Sequence, residues 1–234
     1  MKRNIVRALI AVLALVVIIY GGILLWTKVI NKPEEKLGAG DLSAVINDSV
    51  APTESTSPSN DGDVSGTWVA TGDSTLGYRV QEILGGVDTE GVGRTNYVTG
   101  SITIEGTTLT AAEFTVQMAT IVSDSSRRDS QFNTRIMDTA TFPTATFVLT
   151  APIELGSIPT PGTQITVTAT GDLTLRGTTL PVTFEITAEN SGSSIGVFGS
   201  IPILFADYGI PNPSNAFVAT RDNGLLEFVL AFAR

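Results

Sequence analysis

ITVTATGDLTLRGTTLPVTFEITA, residues 165–188, is the stretch that decides how this chain folds. Ile165, Val167, Ala169, Leu173 and Leu175 sit an even number of residues apart, so an extended chain puts them on one face. Arg176-Gly177 then supplies a turn, and Val182, Phe184 and Ile186 resume the alternation within Leu180–Ala188. The stretch reads as a hairpin. Working outward, the same period of two returns in Gly77–Ile83, Tyr97–Ile104, Leu109–Ile121, Thr144–Leu149, Ser194–Ile203 and Leu225–Phe232. In Leu109–Ile121, Ala112, Phe114, Val116 and Met118 share one face while Glu113, Thr115 and Gln117 take the other. In the last strand Leu226, Phe228, Leu230 and Phe232 align. These are eight strands in an all-β chain, which points to an antiparallel barrel or sandwich, and eight are enough to close a barrel around side chains or one small ligand. Gly91-Val92-Gly93 and the Gly-Thr-Thr triplets at 106 and 177 read as turns, because no helix follows them to form a phosphate loop.

One segment breaks the alternation. Ser123–Phe147 carries Phe132 and Ile136 at i, i+4, which predicts a short helix with one apolar stripe, and Ser126 followed by Asp129 has the spacing of an N-terminal cap. A short helix between barrel strands is expected to cover an open end. It also holds Arg127, Arg128 and Arg135, three of the eight arginines that follow residue 36.

The chain has 234 residues, with no cysteine and no histidine. Disulfides, thiolate chemistry, Ser-His-Asp hydrolysis and most zinc sites are thereby removed, and the expectation is of no cofactor, no metal site and no enzyme. After residue 36 there are 8 Arg, no Lys and 21 Asp plus Glu, a net charge of −13. Such a surface repels phosphate backbones, so nucleic acid is not an expected partner.

Ala8–Trp26 is an uncharged run of 19 residues, enough at ~1.5 Å per residue to cross a ~30 Å hydrocarbon core. A cleaved signal peptide is the alternative, since Lys2, Arg3 and Arg7 precede the run. Its length and the Trp26-Thr27-Lys28 that ends it favour an uncleaved signal anchor. Tyr20 and Trp26 suit the membrane interfaces. Residues 1–31 are therefore read as a cytoplasmic tail and single transmembrane helix, N-in, holding the rest outside the cell membrane. Residues 32–65, rich in Pro, Gly, Ser and Thr, are read as a flexible linker, and 66–234 as the folded domain.

Three motifs then resemble the signatures of the YceI-like family. Arg127-Arg128-Asp129-x-x-Phe132, with Met137-Asp138 and Thr141-Phe142-Pro143-x-x-x-Phe147, is similar to its RD-x-x-L, FLD and YP-x-x-x-F elements. Gly171-Asp172-Leu173-Thr174-Leu175-Arg176-Gly177-Thr178-Thr179-x-Pro181-Val182 resembles its GDLTIRGVTKPV run, and Phe205-Ala206-Asp207-Tyr208-Gly209-Ile210 its DFGI element. They occur in the family's order over about residues 66–234. The resemblance implies a lipocalin-like eight-stranded antiparallel barrel that holds a polyisoprenoid or similar long apolar chain. Many members carry histidines near the first strands and after the RD pair; here Asp73 or Ser74 and Gln131 stand there.

The candidate ligand-binding residues are Phe114, Val116, Met118, Phe147, Phe184, Ile186, Phe228 and Phe232. Either they line a tunnel or they pack against one another, and a one-residue slip of register inverts every face. Arg127, Arg128 and Arg135 are candidates for an anionic head group; the alternative is ion pairing with Asp124, Asp129 and Asp138. Arg79 is expected to face water. The expected function is a membrane-anchored extracellular protein that carries a lipidic molecule. The alternatives are a barrel module with a solid core, or a carboxylate-dependent enzyme in a barrel cavity.

Overall fold

The structure, a computed structural model, describes residues 2–25, 33–48 and 64–234. Helix α1, Lys2–Leu25, is long and apolar enough to cross a membrane. Trp26, expected at a membrane interface, and the Pro52–Pro58 part of the expected linker lie outside the described residues. Helix α2, Leu42–Asp48, precedes β1 (Gly66–Ala70), β2 (Thr75–Leu84), β3 (Val87–Thr95), β4 (Val98–Glu105), β5 (Thr108–Gln117) and β6 (Val122–Ser123). Helix α3, Ser126–Gln131, runs into a π-helical turn at Phe132–Ile136. Then come β7 (Thr144–Leu149), β8 (Ile153–Glu154), β9 (Ile165–Leu175), β10 (Thr178–Asn190), β11 (Ser194–Leu204) and β12 (Val218–Ala233).

β1, β4, β5, β7, β9, β10, β11 and β12 pair antiparallel in that order, and β1 returns to β12 with Val69 opposite Ala233 and Ala70 opposite Phe232. The eight-stranded barrel is closed, so no strand edge of this ring is left unpaired. β2 continues β1 along β12, β3 leads into β4, and β6 extends β5, which makes the wall taller on that side. The upper end carries the β2–β3 turn, the α3 segment, the β9–β10 turn and the loop from Phe205 to Phe217. The lower end carries the β4–β5 and β10–β11 turns and both ends of the domain. The β2–β3 turn is Gly85-Gly86 with φ of +56° and +85°, the all-positive pair that a two-residue hairpin requires.

Four expectations are corrected. Gly91-Val92-Gly93 is no turn but the middle of β3, opposite Val80, Arg79 and Tyr78 of β2. Its glycines are there for space: a Cβ on Gly93 would stand 2.5 Å from the Tyr78 ring, and one on Gly91 2.9 Å from Glu82 Oε1. Ser126 does not cap α3. The N-cap is Ser125, and Asp129 instead accepts bonds from the Ser123 N–H (2.8 Å) and hydroxyl (2.6 Å).

Part of the expected linker is built into the domain. Leu42 and Ile46 of α2 are buried, packed over Gly196 of β11, where any side chain would collide with them. Burying two such side chains contributes about 1.5–3 kcal/mol each. Composition hid this because two apolar residues four apart suffice to seat one helical turn.

Arg79, finally, points outward yet is only 4% exposed. The segment leading to α2 covers it: the Glu34 carbonyl accepts from Arg79 Nη2 at 2.8 Å. Beneath that cover Arg79 Nε donates to Glu227 at 3.1 Å, Arg79 Nη1 to Glu90 at 2.6 Å, and Arg94 also bonds Glu227, itself 1% exposed.

Candidate functional site

With the register fixed, the faces can be assigned. Leu76, Tyr78, Val80, Glu82 and Leu84 of β2 and Leu226, Phe228, Leu230 and Phe232 of β12 turn inward, and they border one cavity of about 580 Å³. That lies within the usual ~300–1,000 Å³ of small-molecule sites. The structure places all eight candidate residues, Phe114, Val116, Met118, Phe147, Phe184, Ile186, Phe228 and Phe232, along this wall. The cavity runs from Ile158, Pro159 and Asn190 at the lower end to Arg127, Asn215 and Phe217 at the upper.

The interior stays open because the large rings lie flat against the wall. Phe114 covers Gly100, Phe147 covers Gly171, Phe228 covers Gly199 and Tyr78 covers Gly93, each glycine on a neighbouring strand where a Cβ would strike the ring. Ring edges then meet ring faces around the bore, Phe147 to Phe184 at 5.6 Å and Phe184 to Phe228 at 6.1 Å between centroids.

The two ends differ. Trp68, 1% exposed, packs into the lower end behind Val64; its indole N–H donates to the Val64 carbonyl at 2.8 Å and the Arg234 guanidinium lies 4.2 Å above its ring. The exposed wall residues Arg127, Asn215 and Phe217 all stand at the upper end, so the cavity opens there.

α3 and its π turn border this mouth. Phe132 stacks on Tyr78 with centroids 5.1 Å apart, and Ile136 faces the cavity. The extra residue of the π turn, closed by Met137 N–H to the Phe132 carbonyl at 2.8 Å, is a feature that recurs at functional sites.

A carboxylate projects into the cavity near the mouth. Glu82 projects inward, 12% exposed, and Arg128 lies 3.5 Å from it while also bonding Asp124. Burial raises the Glu82 carboxyl above the ordinary range, against the pull of Arg128. Burial likewise raises the Tyr78 phenol. The three candidate arginines separate. Arg128 is committed to Asp124 and Glu82, Arg127 borders the mouth with no partner among the described residues, and Arg135 turns away to the carbonyls of Asn212 and Pro213. Neither Asp129 nor Asp138 pairs with any of them among the described residues. Tyr78 and Glu82 escaped the sequence reading, although the alternation over Gly77–Ile83 already set them on one face.

The motifs that prompted the family resemblance meet at one corner of the upper end. Arg176 Nη1 donates to the Gly209 carbonyl at 2.6 Å, its guanidinium lies 5.6 Å from the Phe142 ring, and a Cβ on Gly177 would meet that ring. These residues lock turns together and do not border the cavity.

The YceI-like domain model matches residues 68–232. The chain belongs to the YceI-like family. A structure described as a polyisoprenoid binding domain from Saccharophagus degradans, implicated in plant cell wall breakdown, aligns with a TM-score of 0.59 at 17% identity. The alignment covers 71% of this chain and 97% of that one. Burkholderia cenocepacia BcnA aligns with a TM-score of 0.52 at 22% identity, over 67% and 95% of the two chains. At these identities the likeness concerns the YceI-like fold alone. No curated sequence matches significantly.

Proposed function

We propose that this protein is a membrane-anchored extracellular carrier of a polyisoprenoid or similar long apolar chain, and that it performs no catalysis. The observation that carries the reading is the cavity: continuous, walled almost wholly by apolar side chains, and open at one end. Each methylene moved from water into such a wall contributes about 0.8 kcal/mol, so a long chain gains affinity with length. The relative described as polyisoprenoid binding supports the ligand class. Phe114, Phe147, Phe184 and Phe228 hold the chain. Arg127, unpaired at the mouth, meets an anionic head group, with Arg128 bringing Glu82 into reach of a hydroxyl.

Against catalysis stands the pairing of Glu82. Its neighbour is a guanidinium, whereas acid/base chemistry of the glycosidase kind needs a second carboxylate facing it. Glu227 and Glu189 border the same wall but turn their carboxylates outward, to Arg79 and Arg94 and to Gln164 at 2.9 Å. The N-terminal positive residues and the apolar length of α1 support a single span with the barrel outside.

The test is organic extraction of the purified full chain, expressed in several hosts, followed by mass spectrometry. Recovery of long-chain lipid, displaced by added polyisoprenol, is expected. Barrels free of any lipid from every host would sink the carrier reading.

A further inference from the structure

The cavity mouth and the membrane helix lie at the same end of the barrel. A Cβ on Gly85, in the β2–β3 turn at the upper rim, would stand 2.8 Å from Cδ1 of Ile23 in the last turn of α1. The chain beyond the helix confirms the direction of travel. Glu34 meets Arg79, five residues below that turn, and its carboxylate lies 3.8 Å from Arg94. Ala39 then accepts from Gln164 just before β9, Ser43 reaches Glu189, and Leu42 and Ile46 cover Gly196 near the start of β11. Glu34 to Ile46 is therefore a strap laid down the outer wall from the upper end to the lower, where Val64 enters the barrel. Between α1 and Pro33 only residues 26–32 intervene, and seven residues reach ~25 Å at most. A barrel strapped in this way has little freedom to turn its mouth away from the bilayer.

The rim is chemically suited to that neighbour. Phe217 is 80% exposed and Leu204 57% exposed at this end. Of the five arginines at this end, at 127, 128, 135, 176 and 221, three are engaged within the rim, while Arg127 and Arg221 have no partner among the described residues. The lower end has Arg234, whose guanidinium is spent on Trp68.

We propose that the barrel sits mouth-down on the membrane that holds its own helix, with Phe217 in the head-group layer, so that the ligand passes between bilayer and cavity without crossing water. The partner surface is a phospholipid bilayer. This rests on the anchored-carrier reading and adds to it an orientation and a route.

The chain lacks cysteine, which makes single-cysteine probes unambiguous. Phe217→Cys at the mouth and Thr107→Cys in the β4–β5 turn are each labelled with bimane in the full chain, reconstituted in phosphatidylcholine vesicles containing doxyl lipid. The two sites are separated by a barrel ~30 Å tall, from 13 residues of β10 at ~3.3 Å and ~40° tilt. Contact quenching of most of the fluorescence at 217 and none at 107 is expected. Quenching at 107 instead, or at neither site in a chain that resists alkaline extraction, overturns the orientation and leaves the anchor standing. A chain released by alkaline extraction overturns both. Leu42→Asp with Ile46→Asp frees the strap and is expected to abolish the contrast; a contrast that survives overturns the strap's role. None of these readouts requires bound ligand, so lipid-free barrels would fail the carrier reading separately.

Discussion

The two faces of β12 invert what a barrel strand ordinarily does. Its outward residues Glu227, Val229 and Ala231 are 1%, 1% and 0% exposed, sealed under the strap, whereas inward Leu226 and Phe228 remain partly accessible from the cavity and only Leu230 and Phe232, nearer the lower end, are buried. Charge is buried on the outside and apolar surface is left open on the inside. The difference teaches where stability is invested. The outer face is satisfied and packed, and that frees the inner face from having to form a solid core.

The largest effect should come from breaking the outer cluster. Glu227→Ala leaves Arg79 and Arg94 buried without their shared carboxylate, and removing one partner of a buried pair costs about 3–5 kcal/mol. Urea denaturation of the full chain in detergent should show that loss, with Glu227→Gln intermediate. A variant within ~1 kcal/mol of wild type would mean that Glu90 beside Arg79 and Glu34 beside Arg94 suffice to hold the arginines.

Next in size is the cover itself. Leu42→Ala removes a side chain that is 0% exposed and should cost about 2–4 kcal/mol, provided the strap stays docked. Were the strap merely resting on the barrel, the midpoint would barely move. Protease sensitivity between α1 and β1 would then already be high in wild type.

How far the sequence foretold this inversion depends on range. Strands were legible because period two is local: seven of the eight read from the sequence are strands of the closed ring and the eighth is β2, whereas β1, five residues long and needed to close the ring, was not read. The faces were not, because Phe114 and Glu113 exchange roles under a one-residue slip, and only pairing across strands removes that freedom. β3 was missed because Gly91 and Gly93 look like a turn until Tyr78 and Glu82, from a partner strand, are seen to need their space. Arg79 was misread for a similar reason. Its cover arrives from Glu34, 45 residues earlier, in a segment whose composition resembles a tether. The eight cavity residues were nameable as a set from alternation; that the bore is open follows from glycines whose partners are nonlocal.

The inner face is tested by filling it. Ala169, on the inner wall opposite Phe184, borders the cavity, and Ala169→Phe places a ring in the bore. Space already exists there, so stability should shift by less than about 1.5 kcal/mol, while lipid recovered per barrel should fall about tenfold, equivalent to ~1.4 kcal/mol. A filled bore that still binds as wild type would place the ligand elsewhere.

The smallest effect is the most diagnostic, because Glu82 is the carboxylate that breaks the rule of apolar inside and charge outside. Burial raises its folded-state pKa, and Arg128 opposes the rise only in part. The folded chain therefore holds this proton more tightly than the unfolded chain does. Below the ordinary glutamate value of ~4.3 both states are protonated and Glu82 imposes no penalty. As the pH climbs through that value the unfolded chain ionises first, and stability attributable to Glu82 is lost until the folded carboxyl ionises too. Wild type minus Glu82→Gln, followed by urea denaturation from acid to neutral pH, should thus decline across a window that opens near ~4.3 and closes at the raised value. Arg128 keeps Asp124 in both proteins, so the subtraction isolates Glu82. A difference that grows with pH would show the Arg128 pair outweighing burial, making Glu82 an ordinary structural anion and leaving Arg127 as the unpaired cation at the mouth for a head group.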